Sequence, residues 1–283
     1  MVTENTKKED WQEKNLAVWD ERAAIHAASP IYNLAGFRDR FRSGRDVLSD
    51  FEIGEVGDVS GKRLLHLQCH IGTSTLSWGR RGALVTGLDF SGVAVETARR
   101  LAVDLDCRQV RFVQSSVYEA PMALDDEVFD VVYIGVGSLG WMDDLERWAN
   151  TVASLVAPGG FLYIKEFHPV ALCISSDGTP FGEDYFTRGP LVYQESGTYG
   201  DRNAPTLHTR SVKWRHTIGD VVSAVCAAGL RLEFLHEFDF ATGISSRWKN
   251  LRKVSDAGSG NIWRLPEGLP RAPLTYSLKA SLR

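Results

Sequence analysis

No stretch of this 283-residue chain approaches the ~20 apolar residues that a membrane-spanning helix needs, so no membrane partner is expected. Cysteine is scarce and scattered. Cys69, Cys107, Cys173 and Cys226 form no C-x-x-C pair, which argues against a thiolate zinc site and suits a reducing cytoplasm, the expected location. Charge of one sign is lacking too. A net charge of −4 gives no global basic character to hold nucleic acid, and Arg80-Arg81 and Arg99-Arg100 read as solvated helix faces. Residues 1–10 are polar and mixed in charge, so they are expected to be disordered and no signal peptide is expected. The glycine fingerprint G-x-G-x-x-G is also absent, which speaks against a pyrophosphate ligand and a nicotinamide oxidoreductase.

What is there is concentrated in residues 63–89. Leu64, Leu65 and Leu67 form a short apolar run, long enough for a buried strand. A polar turn, 68–72, follows. Residues 75–82 read as a helix that ends at Gly82, and a second apolar run, 83–88, stops at the acidic Asp89. Strand, turn, helix, strand and acid make a parallel βαβ unit. Its turn lets backbone N–H groups approach a nucleoside-like ligand, and its acid accepts hydrogen bonds from ribose hydroxyls.

Before this unit, residues 11–26 read as a helix, with Trp11, Asn15, Val18, Trp19 and Arg22 at helical spacing. Ser29-Pro30 breaks it, and a second helical stretch spans 37–51. The aromatics here either pack the helices onto a sheet or, as Trp19 and Tyr32, close over a ligand and exclude water. After Asp89, Ser91 is an N-cap for a helix to about residue 105. Strands follow at 110–113 and 128–134, then a helix over 143–157 and a strand over 161–167. A helix over 220–228, closed by Gly229, and strands at 231–238 and 275–282 complete the pattern.

Leu155-Val156-Ala157-Pro158-Gly159-Gly160-Phe161-Leu162 resembles the L-x-P-G-G-x-L turn of class I, seven-strand methyltransferases that use S-adenosylmethionine (SAM). Against that family's D-x-G-C-G-x-G turn, Cys69 and Gly72 match, His66 replaces the acid, and Gln68 and His70 replace the first glycines. The resemblance implies an α/β, Rossmann-like sheet of order 3-2-1-4-5-7-6 with strand 7 antiparallel. It implies an N-terminal helical lid (1–60), a SAM-binding core (61–168), a substrate-cap insertion (169–216) and a C-terminal part of the core (217–283) that carries an insertion at 239–273. It also implies cofactor contacts from Trp19, Gln68, Cys69, His70, Gly72, Asp89, Phe90, Ser116, Val117 and Gly135. Thr73-Ser74-Thr75 departs from a bacterial small-molecule subgroup of this family, in which an acid is expected after Gly72.

Methyl transfer from SAM needs a positioned nucleophile and often a base. Glu166, His168, Asp143, His216 and His236 are candidate bases near strand ends. His168, His216 and His236 together would make a three-histidine site for zinc or iron, whereas each alone reads as structural. His26 and His208 show no comparable context. His-Leu-Gln-Cys-His with Glu-Phe-His-Pro resembles, more loosely, bacterial small-molecule methyltransferases that C-methylate the β-carbon of α-keto acids. There the divalent metal would stabilise the enolate, and Arg22 or Arg247 would hold the carboxylate. The alternatives are metal-free O- or N-methylation with His168 or Glu166 as base, and a non-catalytic SAM-binding protein. The partner expected is a small-molecule substrate. The sequence leaves the oligomeric state open, with a homodimer as the candidate.

Overall fold

A central parallel strand needs apolar residues on both faces, and Leu64, Leu65 and Leu67 are fully buried. In the computed structural model, which describes residues 10–45, 47–174, 182–242, 251–255 and 262–282, they form β1 (Arg63–Leu67). β1 pairs in parallel with β2 (Leu84–Asp89) on one side and β4 (Phe129–Ile134) on the other. The sheet continues through β3 (Val110–Gln114) beyond β2 and through β5 (Val156–Phe167) beyond β4. Past β5 lies β12 (Thr275–Ser281), antiparallel both to β5 and to the edge strand β8 (Arg231–Phe238). The order β3-β2-β1-β4-β5-β12-β8 is the expected 3-2-1-4-5-7-6 with its seventh strand reversed.

Helices cover both faces. On one, α2 (Leu34–Arg42), α3 (Asp50–Val56), α4 (Thr73–Arg80) and α5 (Gly92–Asp104) bury Phe37, Val56, Trp78 and Ala98 against the sheet. On the other, α6 (Ala120–Ala123), α7 (Leu145–Leu155) and α9 (Ile218–Ala227) bury Ala120, Trp148 and Val221. Helix starts follow local chemistry. Ser91 accepts the Ala94 N–H, Asp144 accepts the Arg147 N–H, and Thr217 with Asp220 forms a reciprocal capping box. The helix expected over 37–51 is two helices. Gly44 takes a φ of 81° after α2, and Ser49 with Glu52 caps the start of α3. The Pro158-Gly159-Gly160 turn is a bulge inside β5. A Cβ on Gly160 would meet the carbonyl oxygens of Ala157 and Asp130 at 2.9 Å, so only glycine fits.

Two further sheets sit beside the core. After the short helix α8 (Pro169–Cys173), β6 (Leu191–Gln194) and β7 (Arg210–Lys213) form an antiparallel hairpin, close to the stretches 190–194 and 208–214 that read as strands in the sequence. β9 (Ala241–Thr242), β10 (Arg252–Ser255) and β11 (Ile262–Arg264) form a three-stranded sheet of order β10-β11-β9. The segment 1–9, expected to be disordered, and Arg247, one candidate carboxylate anchor, lie outside the described residues. Among the described residues no helix is long and apolar enough to cross a membrane.

Helix α1 (Asp10–Ala28) is bound to both the core and the hairpin. The Asn15 side chain donates to the Val212 carbonyl at 2.8 Å and accepts the Val212 N–H at 2.9 Å, copying a strand pairing with β7. Glu21 accepts the N–H groups of Leu207 and His208 at 2.7 and 2.9 Å. On the core side, Asp20 accepts from Ser91 Oγ at 2.6 Å.

Candidate active site

The turn after β1 departs from glycine in sequence but not in conformation. Gln68, His70 and Gly72 all take positive φ, at 54°, 50° and 78°. For Gln68 and His70 this costs roughly 1–2 kcal/mol each, the usual penalty of the left-handed region for a residue with a Cβ. Such strain persists only where the surroundings impose it. Here they do: Cys69 N–H bonds the Leu88 carbonyl at 3.0 Å, and His70 N–H bonds Asp89 Oδ2 at 2.8 Å. The glycine is needed at position 72 because a Cβ there would strike Phe112 and Ala98 within 2.8 Å.

A cavity of about 2140 Å³ opens beyond the carboxyl ends of the strands. Of the expected cofactor residues, Trp19, Gln68, Cys69, His70 and Asp89 line it, as do Phe90, Ser116, Val117 and Gly135. Gly72 does not; it packs the turn against β3 and α5. The lid-side wall is Trp19, which meets His70 and Trp141 edge to face with ring centres 5.4 and 5.2 Å apart. Trp11 and Trp214 meet edge to face at 4.7 Å, and the Lys213 ammonium stands over both Trp141 and Tyr193, at 4.9 and 4.6 Å.

Charged and polar groups of the cavity fall into two kinds. Some are saturated. Glu166, a candidate base, accepts Gly137 N–H at 2.5 Å and Phe167 N–H at 2.7 Å on one oxygen, and Ser138 and Leu139 N–H at 2.7 and 3.0 Å on the other. A carboxylate has about four acceptor sites. All are taken, so Glu166 fixes the 137–139 loop and is not free to accept a substrate proton. Burial raises its pKa while the four N–H groups oppose the rise. Asp143, another candidate base, accepts the Tyr118 hydroxyl at 2.8 Å. Beneath the turn, buried Glu52 pairs with Lys165 at 2.5 Å and also accepts from Tyr133 and Ser49. His66 hydrogen-bonds Thr75 at 2.8 Å, and burial lowers its pKa to about 3.

Other groups are unsatisfied. Asp89, 6% exposed, accepts His70 and Ser91 N–H groups, one on each oxygen, and keeps a further acceptor site on each. Burial raises its pKa to about 6. Arg22 is 93% buried, with 7% exposed, and makes no hydrogen bond or ion pair with a described residue; its guanidinium lies 5.6 Å from the Trp19 ring centre. Gln68 donates Nε2–H to the Ser138 carbonyl at 3.0 Å, but its buried Oε1 has no partner. The fold family implies SAM here, and these residues suit it. The open sites on Asp89 match a ribose diol. An orphaned guanidinium and an orphaned amide oxygen, of opposite hydrogen-bonding sense, match the two ends of an amino acid.

The three-histidine metal site is corrected by the geometry. His168 caps α8, accepting Val170 N–H at 3.1 Å, and its Nε2 lies 2.7 Å from Glu237. His236 precedes Glu237 by one position on β8, so strand alternation turns it to the opposite face. There it stacks on Phe234 and pairs with Glu55 at 2.7 Å. His216 donates to the Met142 carbonyl at 2.9 Å. Of the three, only His216 lines the cavity. Among the described residues, no three His, Cys, Asp or Glu side chains come together as metal ligands. Nor was His26 without context: it lies buried against His70, at 2.9 Å. They are 44 positions apart, and no sequence pattern announces that contact. Tyr199, which hydrogen-bonds Tyr32 at 2.7 Å and lines the cavity, carried no signal either.

The reversed seventh strand, the turn at the end of β1 and the acid at the end of β2 define a class I SAM-dependent methyltransferase fold. Comparison with known proteins agrees. Residues 65–164 match a family model described as a methyltransferase domain. A demethylmenaquinone methyltransferase from Clavibacter sepedonicus is 32% identical over 112 residues, which are 40% of this chain and 44% of that protein. The chain thus spans less than half the length of that curated relative. The structure of an S-adenosylmethionine-dependent methyltransferase from Listeria monocytogenes has a TM-score of 0.57 at 16% identity, covering 82% of this chain and 97% of that one. The glycopeptide N-methyltransferase MtfA, solved with SAM, has a TM-score of 0.54 at 18% identity, covering 84% and 95%.

Proposed function

We propose that this chain binds SAM at the 68–72 turn and transfers its methyl group to a small molecule held in the cavity beneath α1 and the β6–β7 hairpin. The carrying observation is the turn itself. Two non-glycine residues hold glycine's conformation, and the adjoining Asp89 keeps acceptor sites open toward a cavity large enough for cofactor and acceptor together. In this reading residues 1–60 act as the lid and 169–216 as the substrate cap.

Bound SAM supplies an electrophilic methyl on a sulfonium. The protein supplies position and dryness. Asp89 holds the ribose hydroxyls, Gln68 Oε1 accepts from the amino group, and the Glu166-fixed loop 137–139 sets the backbone beside the reacting centre. Trp19, Trp141 and Trp214 give the acceptor chamber flat apolar walls, which favours a planar acceptor and O- or N-methylation. The base is not His168, which lies off the cavity, and not Glu166, whose acceptor sites are full. His216, which lines the cavity, is the remaining histidine from the sequence set.

C-methylation of an α-keto acid is the second reading. Arg22 favours it, because a buried unpaired guanidinium suits a carboxylate. That route would need its enolate held by something other than the three histidines.

The test is incubation of the chain with methyl-tritiated SAM and a panel of phenols, amines and α-keto acids. Labelled product from one class, absent with Asp89→Ala, is the expected outcome and names the acceptor. Label from no class, with no SAM bound, would overturn the proposal.

A further inference from the structure

Three side chains link the insertion to the cofactor turn, and hydrogen-bond counting fixes the direction of their protons. Thr198 Oγ1 accepts the backbone N–H groups of Gly200 at 2.8 Å and Asp201 at 3.2 Å. A hydroxyl has two acceptor sites and one proton. Both sites are taken, so the 3.0 Å contact with His26 Nε2 is made by the Thr198 proton. His26 Nε2 is therefore the acceptor nitrogen, and His26 Nδ1 carries the hydrogen. That hydrogen goes to His70 Nε2, 2.9 Å away. His70 Nε2 accepts in turn, which leaves a neutral His70 with its hydrogen on Nδ1.

Both rings are neutral. Burial, with smaller pushes from His70 and Arg22, lowers His26 to about 2, and burial lowers His70 to about 3. His70 Nδ1 has no hydrogen-bond partner among the described residues, and His70 lines the cavity. Arg22 stands four positions before His26 on α1, hence on the same helix face. Arg22 and His70 both pack on Trp19, at 5.6 and 5.4 Å from its ring centre. A fixed neutral donor and a buried, unpaired cation thus share one wall.

We propose that Arg22 and the His70 Nδ1–H form a carboxylate-binding site, and that Thr198 and His26 are positioning residues that hold His70 in its donating tautomer. The proposal rests on the SAM reading only for the source of the carboxylate, which is the amino-acid end of the cofactor or a carboxyl on the acceptor. It makes the insertion part of the cofactor site. A loop more than a hundred residues downstream sets which nitrogen of a turn histidine carries a proton.

The test uses the full chain labelled with 15N-histidine and long-range proton–nitrogen correlation spectra. His70→Gln and His26→Gln identify the signals among the seven histidines. Wild type and Thr198→Ser should show His70 in one tautomer, with hydrogen on Nδ1. Thr198→Val removes the proton at the head of the chain and should leave His26 and His70 as tautomer mixtures. A merely structural tie would lower stability in Thr198→Val without changing the tautomer, and that result, or hydrogen on Nε2 in wild-type His70, overturns the relay.

For the carboxylate, S-adenosylhomocysteine should shift His70 Nδ1. Arg22→Gln should then weaken its binding roughly 10- to 100-fold. Binding of 5′-methylthioadenosine, which lacks the carboxylate, should change less than about threefold in the same variant. If sodium acetate shifts Nδ1 and S-adenosylhomocysteine does not, the acceptor is the source. A His70 signal that neither compound moves refutes the site. Failure of S-adenosylhomocysteine to bind at all would count against the SAM reading, while the tautomer of the free protein and the acetate titration still judge this one.

Discussion

Gln68 and His70 carry side chains into a turn shaped for glycine, and that substitution gives the cavity its particular polar groups. Their positions were legible from the spacing of Cys69 and Gly72. Their directions were not, because backbone φ depends on the Leu88 carbonyl and the Asp89 carboxylate across the turn. Asp89 was legible from its place after an apolar run. Its burial raises its pKa to about 6, so the sign of its effect on binding is definite. The ionised form accepts hydroxyl hydrogens best. Affinity for S-adenosylhomocysteine should be full above about pH 6 and fall below it, by at most tenfold per pH unit. Titration calorimetry from pH 5 to 8 checks this, and Asp89→Asn should flatten the profile. Glu166 was misread as a base because its sequence neighbourhood does not show the four N–H groups that saturate it. Glu166→Gln puts an amide NH2 against two of those groups and should cost about 2–5 kcal/mol in denaturant unfolding. The histidines show the same limit. Proximity to strand ends was read correctly, but the strand's two-residue period, which turns His236 away from Glu237 and His168, decided against a shared metal. His168→Ala should therefore lower stability by about 1–3 kcal/mol and leave S-adenosylhomocysteine affinity unchanged, as measured by the same calorimetry.

At the scale of elements, α1 holds the hairpin and the core together. Its face was legible, since Trp11, Asn15, Val18, Trp19 and Arg22 recur at helical spacing. What Asn15 does with that face was not, because its partner, Val212, is nearly two hundred residues away. Asn15→Ala removes both hydrogen bonds to β7 and should cost about 1–3 kcal/mol. Hydrogen exchange localises the effect: amides of α1 and of β6–β7 should speed up together, with β1, β2 and β4 unchanged. Acceleration confined to α1 would mean that the two elements are not coupled. The break between α2 and α3 was missed for a local reason, since Gly44 and the Ser49–Glu52 cap interrupt an apolar pattern that by itself reads through. The buried Glu52 of α3 pays its desolvation through Lys165 of β5. Lys165→Met should destabilise by about 3–5 kcal/mol, measured by chemical unfolding, because it leaves that carboxylate uncompensated.

At the scale of the whole molecule, alternating strands and helices made the α/β class legible, while the sheet order and the reversed last strand were implied by the family resemblance, and the observed order agrees with it. The Pro-Gly-Gly bulge marked the fifth strand, where the Cβ clash at Gly160 explains the residue type. The insertions were legible only as extra length and two strands. How the 169–216 insertion walls the chamber follows from its contacts with α1, nearly two hundred residues away. The account therefore rests on one assembly: a SAM-binding turn and Asp89 below, α1 and the hairpin above. Its most direct test is calorimetric titration of the chain with S-adenosylhomocysteine, in wild type and Asp89→Ala. One-to-one binding, weakened by roughly 1.5–3 kcal/mol in the variant, is the predicted result. No binding to the wild type, or equal affinity in both proteins, would contradict it.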